Sequence, residues 1–432
     1  MKKVLIICYY WPPAGGPGVQ RWLKFVKYLR DFNIEPVVYV PQNPHYPIID
    51  KSLEQEIPEG ITIIKRPIKE PYGLAGLFSK KDTDTISSGI ISDEKKQSFI
   101  QKILLFIRGN LFVPDARKFW VRPSVRFLEN YLKENPVDAI ITTGPPHSLH
   151  LIGLSLKAKL NTKWIADFRD PWTTIHYHNK LRLIESSSKK HKKMEQEVLD
   201  GADHILVTSP GTQNEFETLT QTPISCITNG FDIDLDFQVE VDDSFSLAHI
   251  GSLLAERNPQ FLWEVLQEMK AEIDGFGANL KLKFAGKVST SVLESIKAHG
   301  LEENVELLGY VTHDEAIQLQ RKSQILLLIE SNAKDVKAII PGKVFEYLAA
   351  RRPIVGIGPQ NANFFSIIAT TQSGKCFDYS QKSMLKSHFL HEYNRFLASD
   401  LAVKSTGIDQ YSRKNLTEKL AQLISKVTAS NV

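Results

Sequence analysis

The chain has 432 residues, 42% apolar and 24% charged, which fits a soluble globular protein of two or three domains, each with its own core. The formal net charge of +4 is small for this length; it argues against a dedicated nucleic-acid binder and leaves room for local basic patches. Three cysteines, Cys8, Cys226 and Cys376, show no zinc or redox spacing and favour a reducing, cytoplasmic compartment, and no run reaches the ~20 apolar residues of a membrane span.

Met1 to Ile7 joins two lysines to an apolar run too short for a leader, so Val4-Leu5-Ile6-Ile7 reads as a first strand. A Pro- and Gly-rich loop, Trp11 to Gly18, follows. Val19, Trp22, Leu23, Phe25, Val26 and Leu29 then recur at helical spacing, and Val37 to Val40 predicts the next strand. Glu70 to Lys96 is polar and poor in aromatics; it reads as an insertion, about 70–98. The pattern resumes with a strand at Ala139 to Ile141, a Thr-Thr-Gly-Pro-Pro loop, a helix near Leu149 to Leu160, and strands near Trp164 to Ala166, His204 to Val207 and Ser225 to Ile227. A second series opens near Phe245, with predicted strands at Ser246 to Ile250, Leu280 to Ala285, Val305 to Leu308, Ile325 to Ile329 and Ile354 to Gly356. From Tyr411 to Val427, Leu416, Leu420, Leu423, Ile424 and Val427 share one face of an amphipathic helix.

Short, wholly apolar strands belong to parallel sheets covered on both faces. The expected fold class is α/β, with two Rossmann-like, doubly wound domains facing a central cleft: 1–230, 245–405, and a closing helical segment at 406–432. Such sheets place ligands beyond the carboxyl ends of their strands, which makes the cleft the default site.

Five segments sit where chemistry is expected. Gly15 and Gly16 lie between the first strand and a helix, where backbone N–H groups can approach an anion; a tight turn is the alternative. Asp167-Phe168-Arg169-Asp170-Pro171-Trp172 follows a buried-looking strand, and an arginine fixed by carboxylates can hold substrate hydroxyls or a phosphate. Asn229-Gly230 is a turn signal at the domain junction. Gly251 to Pro259 places Arg257 just outside a helix start. Pro341-Gly342-Lys343-Val344-Phe345-Glu346 opens another helix, whose free N–H groups and Lys343 can hold a diphosphate without a metal, with Glu346 near the first turn. No His/Cys cluster or paired-Asp motif has metal-ligand spacing. Trp11, Trp22, Trp120 and Trp172 can stack on sugar or fill the core. Phe99 to Arg122 mixes apolar and basic residues; it suits an anionic membrane surface, or a core stripe with a solvated face.

In this order the segments resemble the bacterial family 4 glycosyltransferases of the GT-B fold over nearly the whole chain. Gly15-Gly16 looks like that family's glycine-rich loop, which approaches donor phosphate and acceptor. Ile227 to Asp232 resembles its Asn-Gly-x-Asp segment. Gly251 to Asn258 is similar to its Gly-Arg-Leu segment: Arg257 stands at a phosphate-binding cation, while Ser252 replaces the usual arginine. Glu346 matches the second of two family glutamates, the ribose ligand. Ala338 stands where the first, the donor-sugar ligand, is expected, and Glu330 at a strand end is a substitute only if the loop folds back. Asp170 matches the Asp of a strand-end His-Asp pair, and Arg169 replaces the His. The last helix resembles one that crosses back to the first domain.

The resemblance implies a retaining, metal-independent, hexosyltransferase-like enzyme of cell-surface glycan or polysaccharide biosynthesis. Asp170, Arg169, Arg257 and Lys343 are its catalytic candidates. Gly15, Gly16, Asn229, Gly251, Ser252, Arg257, Glu330, Gly342, Lys343 and Glu346 are its donor-binding set, and Asp167 and Trp172 lie on the acceptor side. No cofactor is expected beyond a nucleotide-sugar substrate, a UDP-sugar by prior. The acceptor is a glycan or lipid-linked glycan, without nucleic acid, and the place the cytoplasm or the inner membrane face, with peripheral contact through 99–122. A nucleotide-sugar epimerase of the same fold and a non-catalytic nucleotide-sugar-binding protein are the alternatives.

Overall fold

In the computed structural model the described residues are 1–70, 99–175, 178–232, 239–333 and 336–429. Apart from Glu70, the insertion expected at about 70–98 lies outside them. The chain divides into two compact units, Met1–Asn229 with Arg413–Val432, and Gly230–Ser412.

Among the described residues the first unit holds a seven-stranded parallel sheet. Its strands are β1 (Lys2–Ile7), β2 (Ile34–Pro41), β3 (Thr62–Arg66), β4 (Ala139–Gly144), β5 (Lys163–Phe168), β6 (His204–Val207) and β7 (Ile224–Cys226), in the order β3-β2-β1-β4-β5-β6-β7. Helices α1 (Pro17–Leu29), α2 (Phe99–Leu111), α3 (Lys118–Glu134), α4 (Ser148–Leu160), α5 (Glu185–Gly201) and α6 (Pro210–Glu217) connect them. Side chains alternate across a pleat. Val4 and Ile6 therefore share one core with Trp22 and Val26 of α1, while Leu5 and Ile7 share the other with Trp120, Leu128, Leu149 and Trp164.

The second unit has a six-stranded parallel sheet of β8 (Phe245–Ile250), β9 (Leu280–Ala285), β10 (Val305–Gly309), β11 (Ile325–Ile329), β12 (Ile354–Gly358) and β13 (Gly374–Asp378), in the order β10-β9-β8-β11-β12-β13. Its helices are α7 (Gln260–Glu272), α8 (Phe276–Asn279), α9 (Thr290–Ala298), α10 (His313–Lys322), α11 (Lys343–Ala350), α12 (Asn363–Thr370) and α13 (Lys382–Leu397). Leu247, Leu282 and Leu327 pack with Leu262 and Phe389 on one face, and Ala248, Leu326 and Leu328 with Phe345 and Phe364 on the other. The closing helix α14 (Arg413–Ala429) returns to the first unit, where Leu416, Leu420, Ile424 and Val427 enter the core beside α1.

Both sheets reverse direction in the same way. Strand order grows outward from β1 in one sense and from β4 in the other, and likewise from β8 and β11. The crevice at the carboxyl ends of these central pairs is where a doubly wound sheet takes its ligand. In the second unit it lies between the loops after β8 and β11. β3 and β13 were not expected from the sequence: they are edge strands with partly exposed residues in place of an apolar run.

Candidate functional site

At the end of β8, Gly251 turns the chain with φ +116°, and its N–H donates to the Ala285 carbonyl at 2.6 Å. A β-carbon at Gly251 would stand 2.6 Å from Lys343 Nζ and 2.7 Å from Lys343 Cε, so the lysine chain lies directly over this glycine. Gly286, φ +115°, backs onto it: a β-carbon there would come within 2.8 Å of the Gly251 carbonyl.

The loop then passes the exposed Ser252 and closes a 3-10 turn at Ala255–Arg257. This turn carries Arg257 to Glu330, immediately after β11, with Nε–Oε1 at 2.7 Å and Nη2–Oε2 at 3.3 Å. The pair ties together the two loops of the central crevice. Glu330 is buried. It accepts a further bond from Ser331 N at 3.1 Å, and its carbonyl accepts from Tyr379 Oη at 2.8 Å. Glu330 thus lies at the end of β11 beside Arg257. Ala338 lies in the following loop, where its carbonyl accepts from Asn363 Nδ2 at 3.1 Å.

Gly342 caps α11, and Lys343 is the first helical residue. Among the described residues no carboxylate lies within ion-pair distance of the Lys343 ammonium, and its acceptor is His249 Nε2 at 3.4 Å. Burial, and then the charge of Arg257, bring its pKa down from 10.5 to about 8, while Glu330 and Glu346 act in the opposite sense. Glu346, in the first turn, accepts from Gln320 Nε2 at 3.0 Å. The arrangement brings two cations and the start of α11 to one sheet end, a chemistry suited to phosphate; the free helix-start N–H groups expected from the sequence are partly used, since Val344 N donates to the Pro341 carbonyl at 3.0 Å and Phe345 N to that of Gly342 at 3.2 Å. Asn258 is structural: its Oδ1 accepts from Trp263 Nε1 at 2.7 Å.

In the first unit several expectations need correction. Asp167 is fully buried and cannot serve the acceptor side. It forms an ion pair with Arg21 at 2.9 Å and accepts from Trp22 Nε1 at 2.8 Å and Thr143 Oγ1 at 2.7 Å. Arg21 continues to the Thr228 carbonyl at 3.0 Å and Asn229 Oδ1 at 3.5 Å, so Asn229 ends a buried brace. Arg169 is not fixed through Asp167. Its guanidinium donates to the main-chain carbonyls of Gly18 at 2.9 Å and Gly144 at 3.3 Å, and to that of Pro145. It is a strut beneath the glycine-rich loop, which leaves little of it for substrate. Trp172 is buried, stacked on His147 with centroids 4.9 Å apart and donating to His191 Nδ1 at 3.1 Å. Trp11, Trp22 and Trp120 are core as well. Gly15 packs on Ile48 and Asp50, Gly16 takes φ +93° at the start of α1, and Asp170 is partly buried beside Arg169.

Arg21, His249 and a buried histidine group were not expected from the sequence. A charged residue at 0% exposure carries no sequence signal apart from its place on the apolar face of a helix. His147, His150, His178 and His191 gather around Phe168 and Trp172, and burial holds His150 at about 3 and His178 at about 4. Among the described residues no group of three or more His, Cys, Asp or Glu is placed to hold a metal. A cavity of about 520 Å³ beside them is lined by Thr173, Thr174, His178, Leu183, Ser188 and Lys192, none of which is a predicted site residue. In the 99–122 stretch Ile103, Phe106 and Leu111 are exposed and Leu105 is buried, and among the described residues no helix is long and apolar enough to cross a membrane.

Residues 244–375, the stretch that carries Gly251, Arg257, Glu330, Lys343 and Glu346, match the family described as "Glycosyl transferases group 1". The fold of the whole chain is that of GT-B glycosyltransferases. The lipopolysaccharide outer core galactosyltransferase WaaB aligns over 99% of both chains, with 13% identity and TM-score 0.59. HepE from Anabaena, in complex with UDP and glucose, aligns over 99% of this chain and 100% of its own, with 13% identity and TM-score 0.61. A Listeria monocytogenes protein assigned as a UDP-N-acetylglucosamine 2-epimerase aligns over 100% of this chain and 98% of its own, with 11% identity and TM-score 0.55. No curated protein matches the sequence.

Proposed function

We propose that this protein is a retaining, metal-independent glycosyltransferase that moves a hexosyl group from a nucleotide sugar to a hydroxyl acceptor in cell-surface glycan biosynthesis. The observation that carries this is the Lys343 ammonium, lying over Gly251 at the start of α11 with no carboxylate to neutralise it among the described residues. In such a reaction the bond from sugar to diphosphate lengthens first, and negative charge grows on the leaving phosphate. A cation and the positive end of a helix, fixed beforehand, stabilise that charge without reorganising. Lys343 and the Gly342 main chain take this role. Arg257 joins them when the diphosphate displaces Glu330 from its guanidinium. Glu346 takes the ribose hydroxyls and Glu330 the donor sugar, with Gly251 and Ser252 on the phosphate side.

In the first unit Gly15 and Gly16 keep their place in the donor-binding set, and Asp170 its place among the catalytic candidates. The acceptor hydroxyl attacks from the face the leaving group occupied, and the leaving phosphate takes its proton. Retention and these roles rest on the resemblance to family 4 enzymes, and UDP as the leaving nucleotide rests on the UDP-bound relative. A glycan or lipid-linked glycan is the acceptor, at the inner membrane face. Ile103, Phe106 and Leu111, in one stretch with Lys102, Arg108 and Lys118, supply the peripheral contact.

Purified protein given a panel of nucleotide sugars and a cell-envelope extract should release nucleoside diphosphate, unaffected by a chelator. Lys343→Ala and Arg257→Ala should each weaken donor binding; unchanged affinity in both would overturn the site. Turnover of donor without acceptor would mark an epimerase, and binding without turnover a non-catalytic protein.

A further inference from the structure

The assignment of Lys343 to a diphosphate leaves open what aims a flexible lysine before the ligand arrives, and the inference that follows rests on that assignment. We infer that His249 is a positioning residue: its buried imidazole, fixed by the Leu327 carbonyl, offers a lone pair that holds the Lys343 ammonium over Gly251 without cancelling its charge.

His249 lies on β8 with no exposed surface, and its Nδ1 stands 3.0 Å from the Leu327 carbonyl on β11. A carbonyl only accepts, so Nδ1 carries the ring proton and Nε2 is left as the acceptor. Nε2 faces Lys343 Nζ at 3.4 Å. Burial, and then the charge of Lys343, keep a second proton off the ring; Arg257 acts in the same sense, and the main chain of Leu327 and Ser252 in the opposite one. The charged groups bearing on Lys343 from its neighbours are Arg257, Glu330 and Glu346.

The two cations are thus held in opposite ways. Arg257 is gripped by a carboxylate, which a diphosphate must displace. Lys343 is gripped by a neutral ring, so its full charge stays available to a ligand. Gly251 leaves the lysine chain its path, and His249 fixes the end of it. Ordering a long side chain in advance removes part of the entropy loss that binding otherwise carries.

Two substitutions separate this role from packing. In His249→Asn the amide can keep the bond to Leu327 but has nothing at the position of Nε2. In His249→Gln the longer amide can return an acceptor toward Lys343. Two measurements are made on the full chain. The first is the pH dependence of Lys343 acetylation in ligand-free protein, read on its peptide by mass spectrometry. The second is UDP affinity by calorimetry. In His249→Asn the Lys343 amine should lose its proton at lower pH than in wild type, and UDP should bind roughly tenfold more weakly, the scale of one lost hydrogen bond to a charged group. His249→Gln should recover most of both effects.

If the amine titrates alike in wild type and His249→Asn, or if His249→Gln falls as far as His249→Asn, the inference is wrong and His249 only packs. A shifted amine in a protein that does not bind UDP would uphold the positioning of Lys343 and overturn its assignment to the nucleotide.

Discussion

Lys343 should destabilise the fold that it serves. Its ammonium lies over Gly251 against a neutral histidine, and its pKa falls from 10.5 to about 8. Each pKa unit is about 1.4 kcal/mol, so holding this charge costs the folded protein roughly 3 kcal/mol at neutral pH, as an upper bound. The sign follows from linkage. Below pH about 8 both folded and unfolded chains carry the proton, and the cost is present in full. Between about 8 and 10.5 the folded chain has released the proton and the unfolded chain keeps it, so stability rises with pH and the cost is gone above that window. Lys343→Met keeps an unbranched chain of similar length and removes the charge. At pH 7 the variant should be the more stable by up to roughly 3 kcal/mol, and the advantage should shrink as pH rises through 8. To read the second unit by itself, protein equilibrated in urea at pH 7 and pH 9.5 would be pulse-labelled with deuterium. Peptides from β11 and α11 then report the midpoint of the second unit alone. A variant less stable than wild type at pH 7, or an advantage that does not shrink at pH 9.5, would refute the reasoning.

The same charge sets the pH range of binding: UDP affinity should fall as pH rises through about 8 in wild type and stay flat there in Lys343→Met, as calorimetry at constant ionic strength can show. Gly251→Ala adds a methyl group at φ +116°, 2.6 Å from Lys343 Nζ; it should displace the lysine, weaken UDP binding as much as Lys343→Ala, and destabilise the second unit by roughly 1–3 kcal/mol. Asp167→Asn leaves Arg21 buried without its counter-charge and should destabilise the first unit by about 3–5 kcal/mol, read on β5 peptides, while peptides of the second unit keep their midpoint.

The sequence by itself determined the architecture. Wholly apolar strands such as Ile325 to Ile329, alternating with helical spacing, require parallel sheets covered on both faces, and the Pro-Gly start before Lys343 and the glycine after β8 were legible as a helix start and a strand-end turn. The edge strands β3 and β13 were not legible, because a strand with one solvated side lacks the apolar run. Only the tertiary structure decided which charges were available. Asp167, Arg169 and Asp170 read alike as strand-end charges, yet Asp167 is consumed by Arg21 from a distant helix, and Arg169 by the carbonyls of Gly18, Gly144 and Pro145. In the second unit Arg257 meets Glu330 and Lys343 meets His249, pairs separated in sequence by 73 and 94 residues. A local pattern records which residue types stand at a strand end. Which of them keeps an uncancelled charge depends on partners brought from elsewhere by the order of the strands, and that order brings together the loops after β8 and β11.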